Sequence, residues 1–353
     1  MARGSVKLSD VAKAAGVSQG TASNVFSRPQ LVREEVRERV RATARQLGYA
    51  GPDPKGRLLR AGKVNAVGVA TEEPLSYFFE DEFARVLMQG MAEACDAAGA
   101  GLALVSAKND ERLAWNIQSA LVDGFVLLCI EGGERLVDLT RERQLPFVAL
   151  ALGKPDPTVS AVGADDYEGG VLAAEHIAGL GHRRVGVLAL ELDAQHEGPA
   201  NLERIRNATY STARDRAHGY FDVFERHGVP RGDISVYETR STRESTWRGL
   251  EFLFSGPTRP TAILAMSDRV AMYALEWLKG RGLRVPEDVS VIGYDGVPEA
   301  ALCTPALTTI EQPIAEIGRR AVQQILAGNG GVRRETLPVK LVVRASSTRP
   351  PQS

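Results

Sequence analysis

The sequence contains no run of about 18 consecutive apolar residues, so no segment is expected to cross a membrane as a helix. Its opening, MARGSVKLSD, has no apolar h-region, which argues against a secretory signal and for a cytoplasmic protein. Cysteine is scarce, and Cys95, Cys129 and Cys303 lie more than thirty residues apart. That spacing suits neither a zinc site nor a disulfide framework, and predicts buried thiols in a reducing compartment. The five histidines form no H-E-x-x-H, so neither a metal nor a cofactor is expected. What remains is 353 residues, 44% hydrophobic and 25% charged, an ordinary globular composition with room for two or three domains.

Charge is balanced overall but unevenly distributed. Residues 1–63 hold 13 Lys/Arg against 5 Asp/Glu, whereas the remainder holds 30 against 39. A basic head on an acidic body is the layout of a nucleic-acid-binding module joined to something else. Within the head, GVSQG at 16–20 satisfies the G-x-S-x-G pattern of a hydrolase nucleophile elbow, which needs a buried strand before its serine. No strand precedes it. Leu8, Val11, Ala12 and Ala15 recur at the spacing of one helix face, and Gly16 ends that helix. Ser18 is an N-cap for a second helix whose buried stripe is Ala22, Val25 and Phe26. Two short helices joined through a glycine make a helix-turn-helix, so Ser18 reads as a cap and the hydrolase reading is disfavoured.

Val36, Val40, Thr43 and Leu47 give a third helical stripe, which Gly48 ends. The segment AGPDPKGRLLRAGKV then carries two prolines and three glycines in fifteen residues, the composition of a linker. Asp53 and Pro54 could start a short helix there, and Gly56 would weaken it. Beyond it, apolar runs such as AVGVA (66–70), GFVLLCI (124–130), RVGVLAL (184–190), TAILAMS (261–267) and VSVIGYD (289–295) alternate with helical stretches. Such a rhythm indicates parallel sheets covered on both faces, and about 280 residues of it suggest two α/β lobes. GLGHRRVG (179–186) is no dinucleotide fingerprint, because its glycines precede the strand.

The motifs LSDVAKAAGVSQGTASNVFS, LVREEVRERV with LGY, ADDYEGGVLAAEHIAGLGHRRVGVLA, RDRAHGY and AILAMSDRVAMYALEWLKGRGLRVPEDVSVIGYDGVPEAALCTPALTTIEQP follow one another along the whole chain. Together they resemble the LacI/GalR family of transcriptional regulators. The resemblance implies an all-α helix-turn-helix headpiece followed by an α/β two-lobed, periplasmic-binding-protein-like sensor. Its boundaries would be a DNA-binding domain at 1–49, a hinge at 50–63, an effector-binding and dimerisation domain at 64–345, and a tail at 346–353. Lobe 1 would hold about 64–167 and 298–327, and lobe 2 about 168–297 and 328–345. The implied partners are near-palindromic double-stranded operator DNA, a second copy of the chain as homodimer, and a sugar-like small-molecule effector. The alternative is a regulator of this kind with no small-molecule response, controlled by a partner protein.

The outward face of the second helix presents Gln19, Gly20, Ser23, Asn24 and Ser27, and Gln and Asn can pair bidentately with adenine. Carried over by resemblance, specificity contacts fall on Gln19, Gly20 and Asn24, and phosphate contacts on Ser18, Thr21 and Ser23. Two positions depart from the family. Gly20 offers no side chain to a base, although it allows close approach. Arg33 stands where a serine usually caps the third helix, and its cation could reach a phosphate instead. In the hinge, Leu59, or Leu58 under ungapped alignment, falls where the family wedges a leucine into the minor groove. Effector contacts fall on Arg216, Ser267 and Asp295, with Asp165 subject to a one-residue ambiguity. Asp268 is expected to cap the following helix, and Gly296 replaces an acidic residue usual in the family.

Overall fold

The computed structural model describes residues 6–51, 62–108, 110–130, 134–152, 156–256, 258–328 and 330–352. The chain divides after Val64 into two compact units. Leu58, Leu59 and the proposed helix start at Asp53 and Pro54 lie outside the described residues.

The first unit holds α1 (Leu8–Ala14), α2 (Gln19–Ser27), a short 3₁₀ turn (Pro29–Leu31) and α3 (Glu34–Leu47). Val11, Ala12, Ala15, Ala22, Val25, Val40 and Ala44 form its core, and Phe26 meets Tyr49 edge-on at 5.6 Å. Gly16 follows α1 with φ +65, the left-handed conformation that releases the chain into the turn. The third stripe differs from expectation at its C-terminal end. Ala44 is buried there while Leu47 is 39% exposed, and beyond the helix end Tyr49 packs against Phe26 at the edge of the core.

The second unit is built on two sheets. The first has the order β12-β5-β4-β3-β1-β2, with β1 (Ala66–Thr71), β2 (Gly101–Ser106), β3 (Gly124–Ile130), β4 (Phe147–Leu152), β5 (Ala161–Ala164) and β12 (Arg334–Leu337), all parallel. The second has the order β13-β11-β10-β9-β6-β8-β7. Its strands are β6 (Val185–Ala189), β7 (Gly198–Pro199), β8 (Ser235–Glu238), β9 (Ala262–Ala265), β10 (Ser290–Asp295), β11 (Thr308–Glu311) and β13 (Lys340–Val342). Only the edge strands β7 and β13 run antiparallel. The central strands are apolar because helices cover both faces.

Two lobe boundaries fall elsewhere than expected. Thr308–Glu311 extends the second sheet, pairing Ile292 with Thr308, and Arg334–Leu337 extends the first, pairing Ala161 with Arg334. The chain therefore returns to the first lobe between β11 and the Ile314–Leu326 helix, and leaves it between β12 and β13. Short four-residue strands (TTIE, RETL) carry too little pattern to assign from sequence. The C-terminal stretch is tied down: Ser346 is fully buried and its hydroxyl donates to Val291 O, while Thr348 O accepts from Ser290.

Candidate functional sites: a helix face and an interlobe cleft

In the first unit, Ser18 sits before α2 in extended conformation and its Oγ accepts from Thr21 N at 3.0 Å. The two hydroxyls lie 2.9 Å apart. The first histidine of the chain is His176, so Ser18 has no imidazole base in its own unit, and it caps a helix. Gln19 and Gly20 are exposed, and Thr21, Ser23 and Asn24 half-buried, while Ala22 and Val25 turn inward. A Cβ built on Gly20 would meet nothing nearer than Ser18 Oγ at 3.8 Å, and its φ is not positive. The fold does not require glycine there. Arg33 precedes α3 without a side-chain cap, and is exposed. Arg39, which charge alone would offer to DNA, donates its Nε to Ala15 O at 3.2 Å and joins α3 to the end of α1.

In the second unit a cleft of about 890 Å³ opens between the lobes. Its floor depends on a close helix crossing. The helices Asp166–Gly179 and Ser211–Arg226 approach at glycines, since a Cβ on Gly170 would stand 2.4 Å from Arg216 O and one on Gly219 2.5 Å from Tyr167 O. The crossing delivers Arg216, 3% exposed, to Asp166: its Nε donates to Asp166 Oδ1 at 2.8 Å and its Nη1 to Met266 O. Its guanidinium stacks 3.5 Å from the Tyr294 ring centroid, and Nη1 lies 3.9 Å from Asp295 Oδ1. Burial opposes the charge of Arg216, but Asp166, Tyr294 and Asp295 more than offset it and raise its pKa.

Asp295 ends β10 at φ +119, a conformation that disfavours a Cβ. Gln312 holds it there, its backbone N donating to Asp295 O at 3.0 Å and its Nε2 to Oδ1 at 2.8 Å. Burial pushes the Asp295 carboxyl well above the usual range against the pull of Arg216. Ser267, not Asp268, caps the helix Asp268–Gly280, accepting from Val270 N at 3.1 Å. Asp268 instead turns away from its own helix and accepts from Gly296 N (2.7 Å), Val297 N (2.9 Å) and Thr309 Oγ1, with burial raising its pKa to about 7. It braces the loop after β10. An acidic side chain at 296 is sterically barred, because a Cβ there would stand 2.6 Å from Glu311 Cα.

All four residues carried onto the effector site, Asp165, Arg216, Ser267 and Asp295, line this cleft. Asp165 caps the Asp166–Gly179 helix, accepting from Glu168 N at 3.0 Å, and its neighbour Asp166 takes the contact with Arg216. Sequence reading missed Gln312, although it stands inside the quoted TTIEQP, and Arg269. The latter reaches from the second lobe to Glu82 (2.8 Å) and Asp81 (3.1 Å) of the first. Among the described residues no cluster of His, Cys, Asp or Glu could hold a metal ion, and no helix is long and apolar enough to cross a membrane.

A helix-turn-helix unit with an outward polar face, followed by a two-lobed α/β unit of periplasmic-binding-protein type, is the build of a DNA-binding transcriptional regulator. Comparison with known proteins gives the family. Residues 7–51 match bacterial regulatory proteins of the lacI family, and residues 174–347 match the periplasmic binding protein-like domain. The HTH-type transcriptional regulator Rv3575c of Mycobacterium tuberculosis is 36% identical over 326 residues, 90% of each chain. The crystal structure of the lac repressor dimer bound to operator and the anti-inducer ONPF aligns with a TM-score of 0.78 at 25% identity, covering 97% of this chain and 99% of that one. A CelR–cellobiose complex aligns with a TM-score of 0.70 at 27% identity, with the same coverage. The chain belongs to the LacI family.

Proposed function

We propose that this protein is a cytoplasmic, ligand-responsive repressor without catalytic activity, which binds a near-palindromic operator as a homodimer. Gln19 and Asn24 read base edges from the major groove, and Gly20 lets the α2 backbone approach them. Ser18, Thr21, Ser23 and Arg33 meet phosphates. Leu59, or Leu58 if the hinge carries no inserted residue, wedges between base steps of the minor groove. A sugar-like effector enters the interlobe cleft and contacts Asp165, Arg216, Ser267 and Asp295. By binding one arrangement of the lobes better than the other, it shifts operator affinity.

The observation that carries this reading is the buried Arg216, stacked on Tyr294 and set between Asp166 and Asp295 in the cleft wall. Charge-assisted bonds of that kind suit vicinal hydroxyls. The relatives support it: the lac repressor was solved on its operator, and CelR with cellobiose. The test is selection of bound duplexes from a random pool with the full chain, followed by titration of the selected site. An enriched palindrome whose affinity changes in ribose or cellobiose is expected. No enrichment removes the DNA-reading role, and an affinity indifferent to both sugars counts against the effector role.

A further inference from the structure

We infer that Arg269 is an ionic latch that holds the two lobes against each other along one side of the cleft. Its effect on operator binding rests on the two-state reading above; the latch itself does not.

Two sets of charged contacts cross from lobe to lobe, and both use the same short stretches of chain. Arg269 stands in the first turn of the Asp268–Gly280 helix, in the second lobe. Its Nε lies 3.1 Å from Asp81 Oδ2 and donates to Glu82 Oε2 at 2.8 Å, while its Nη2 donates to Glu80 O. All three acceptors belong to the first lobe, at the start of the Glu82–Ala98 helix. About one turn further along that helix, Arg85 pairs with Glu299 of the Pro298–Leu302 helix, again in the second lobe.

Each side of this seam is braced. In the first lobe, Asp81 caps the helix that carries Glu82 and Arg85, accepting from Ala84 N at 2.9 Å. In the second, the side chain of Asp268, next to Arg269, accepts from Gly296 N and Val297 N, where the Pro298–Leu302 helix begins. Arg269 and Glu299 are thus fixed to one body and their partners to another, so the contacts form or break together.

Of the two sets, Arg269 carries the greater weight. The side chains of Arg85 and Glu299 are 42% and 36% exposed, and water screens such a pair. Those of Arg269, Asp81 and Glu82 are 23%, 14% and 20% exposed. One planar guanidinium serves three acceptors there, a geometry that the ammonium of lysine does not reproduce.

The latch has something to oppose. Glu73 and Asp81 line the cleft from the first lobe, and Glu191 and Asp295 from the second. Burial raises the pKa of Asp295 and Glu191, and the facing carboxyl groups, Asp81 for the one and Glu73 for the other, raise them further. Bringing these walls together costs electrostatic energy, and Arg269 is a cation placed at the seam that offsets it. Attraction through Arg269 against repulsion between the walls leaves a small difference, which is what a ligand needs if it is to tip the balance.

The test is hydrogen exchange read by mass spectrometry on the full chain, without DNA or sugar. Its readout is the cleft-lining segments 161–165 and 240–242, neither of which holds an acceptor of Arg269. Arg269→Gln should speed exchange there about fivefold, equivalent to about 1 kcal/mol. The interior strands β1 and β9 should keep their wild-type rates. With Asp81→Asn and Glu82→Gln already in place, Arg269→Gln should add little, because its charged partners are gone. Asparagine at 81 keeps an oxygen for the helix cap. Wild-type rates in the cleft segments of Arg269→Gln would overturn the latch. So would acceleration spread evenly over the whole second unit, the mark of a general brace, and so would an undiminished effect in the triple variant. Operator titration of Arg269→Gln then reads the next link, with a changed affinity expected. An opened cleft with unchanged operator affinity would keep the latch and count against lobe arrangement as the switch.

Discussion

Arg216 and Asp166, fifty positions apart in the chain, meet Nε to Oδ1 at 2.8 Å with Arg216 almost wholly removed from solvent. An ion pair at such depth does little for net stability, since desolvation of both groups opposes their attraction. Its consequence here is positional. The guanidinium is held over the Tyr294 ring with its Nη1 near Asp295, so the proposed ligand would encounter a preset arrangement rather than a mobile arginine.

Asp295→Asn tests that arrangement with little disturbance to the fold. Asparagine retains the oxygen that accepts from Gln312 Nε2, and tolerates positive φ better than most residues. It removes the acidic group from the proposed effector site. Operator affinity without effector should match wild type, whereas the effector concentration for half-response should rise about tenfold, equivalent to about 1.4 kcal/mol. Operator titrations with and without sugar measure both. A midpoint that stays put removes Asp295 from the site.

Gly20→Ala should separate folding from recognition by moving them in opposite directions. A Cβ at that position meets only Ser18 Oγ, at an ordinary contact distance of 3.8 Å, so alanine should stabilise α2 by about 1 kcal/mol. If the bare backbone faces a base pair, the same methyl group should weaken operator binding and alter the preferred base at one half-site position. Melting of the variant and a repeat of the duplex selection read the two effects. A variant that is more stable and binds the same operator equally well would show that Gly20 has no role at the DNA.

Arg33→Ser restores a cap to a helix that lacks one, and should stabilise the first unit by about 1 kcal/mol. It also removes a cation from the proposed phosphate set. Operator affinity should fall, and the slope of log affinity against log salt should become shallower by about one. An unchanged slope would mean that Arg33 touches no phosphate.

The parts legible in the sequence were those with a strong local period. The spacing of Leu8, Val11 and Ala12 located α1, the Ser18 cap located α2, and the long apolar runs located most of both sheets. What escaped was decided by tertiary neighbours. Asp165 and Asp166 are identical in type, and only the crossing at Gly170 and Gly219 determines which one caps a helix and which one meets Arg216. Asp268 looked like a cap because it opens a helix, yet the donors it serves stand 28, 29 and 41 positions away. The return points between lobes hid in strands of four residues, too short for alternation to show a face.

Glu191 gives the cleft a pH dependence whose sign can be worked out. Burial raises its pKa from 4.5 to about 7, opposed by the nearby Arg240 and reinforced by Glu73. The folded protein therefore holds a proton on Glu191 at pH values where the unfolded chain has released it. The resulting stabilisation is fully present below about pH 4.5 and is lost as pH rises through about 7. Histidines act in the opposite sense. Burial lowers the pKa of His176 and His182 below 6.5, so their contribution is present above that value and lost as pH falls. Comparing wild type with Glu191→Gln cancels the histidines, which both proteins share. The variant keeps the shape of the side chain but cannot titrate. The Tm of wild type relative to the variant should rise by several degrees between pH 7.5 and pH 5, a difference that melting curves in matched buffers resolve. A constant gap across that range would mean that Glu191 keeps an ordinary carboxylate pKa in the folded protein.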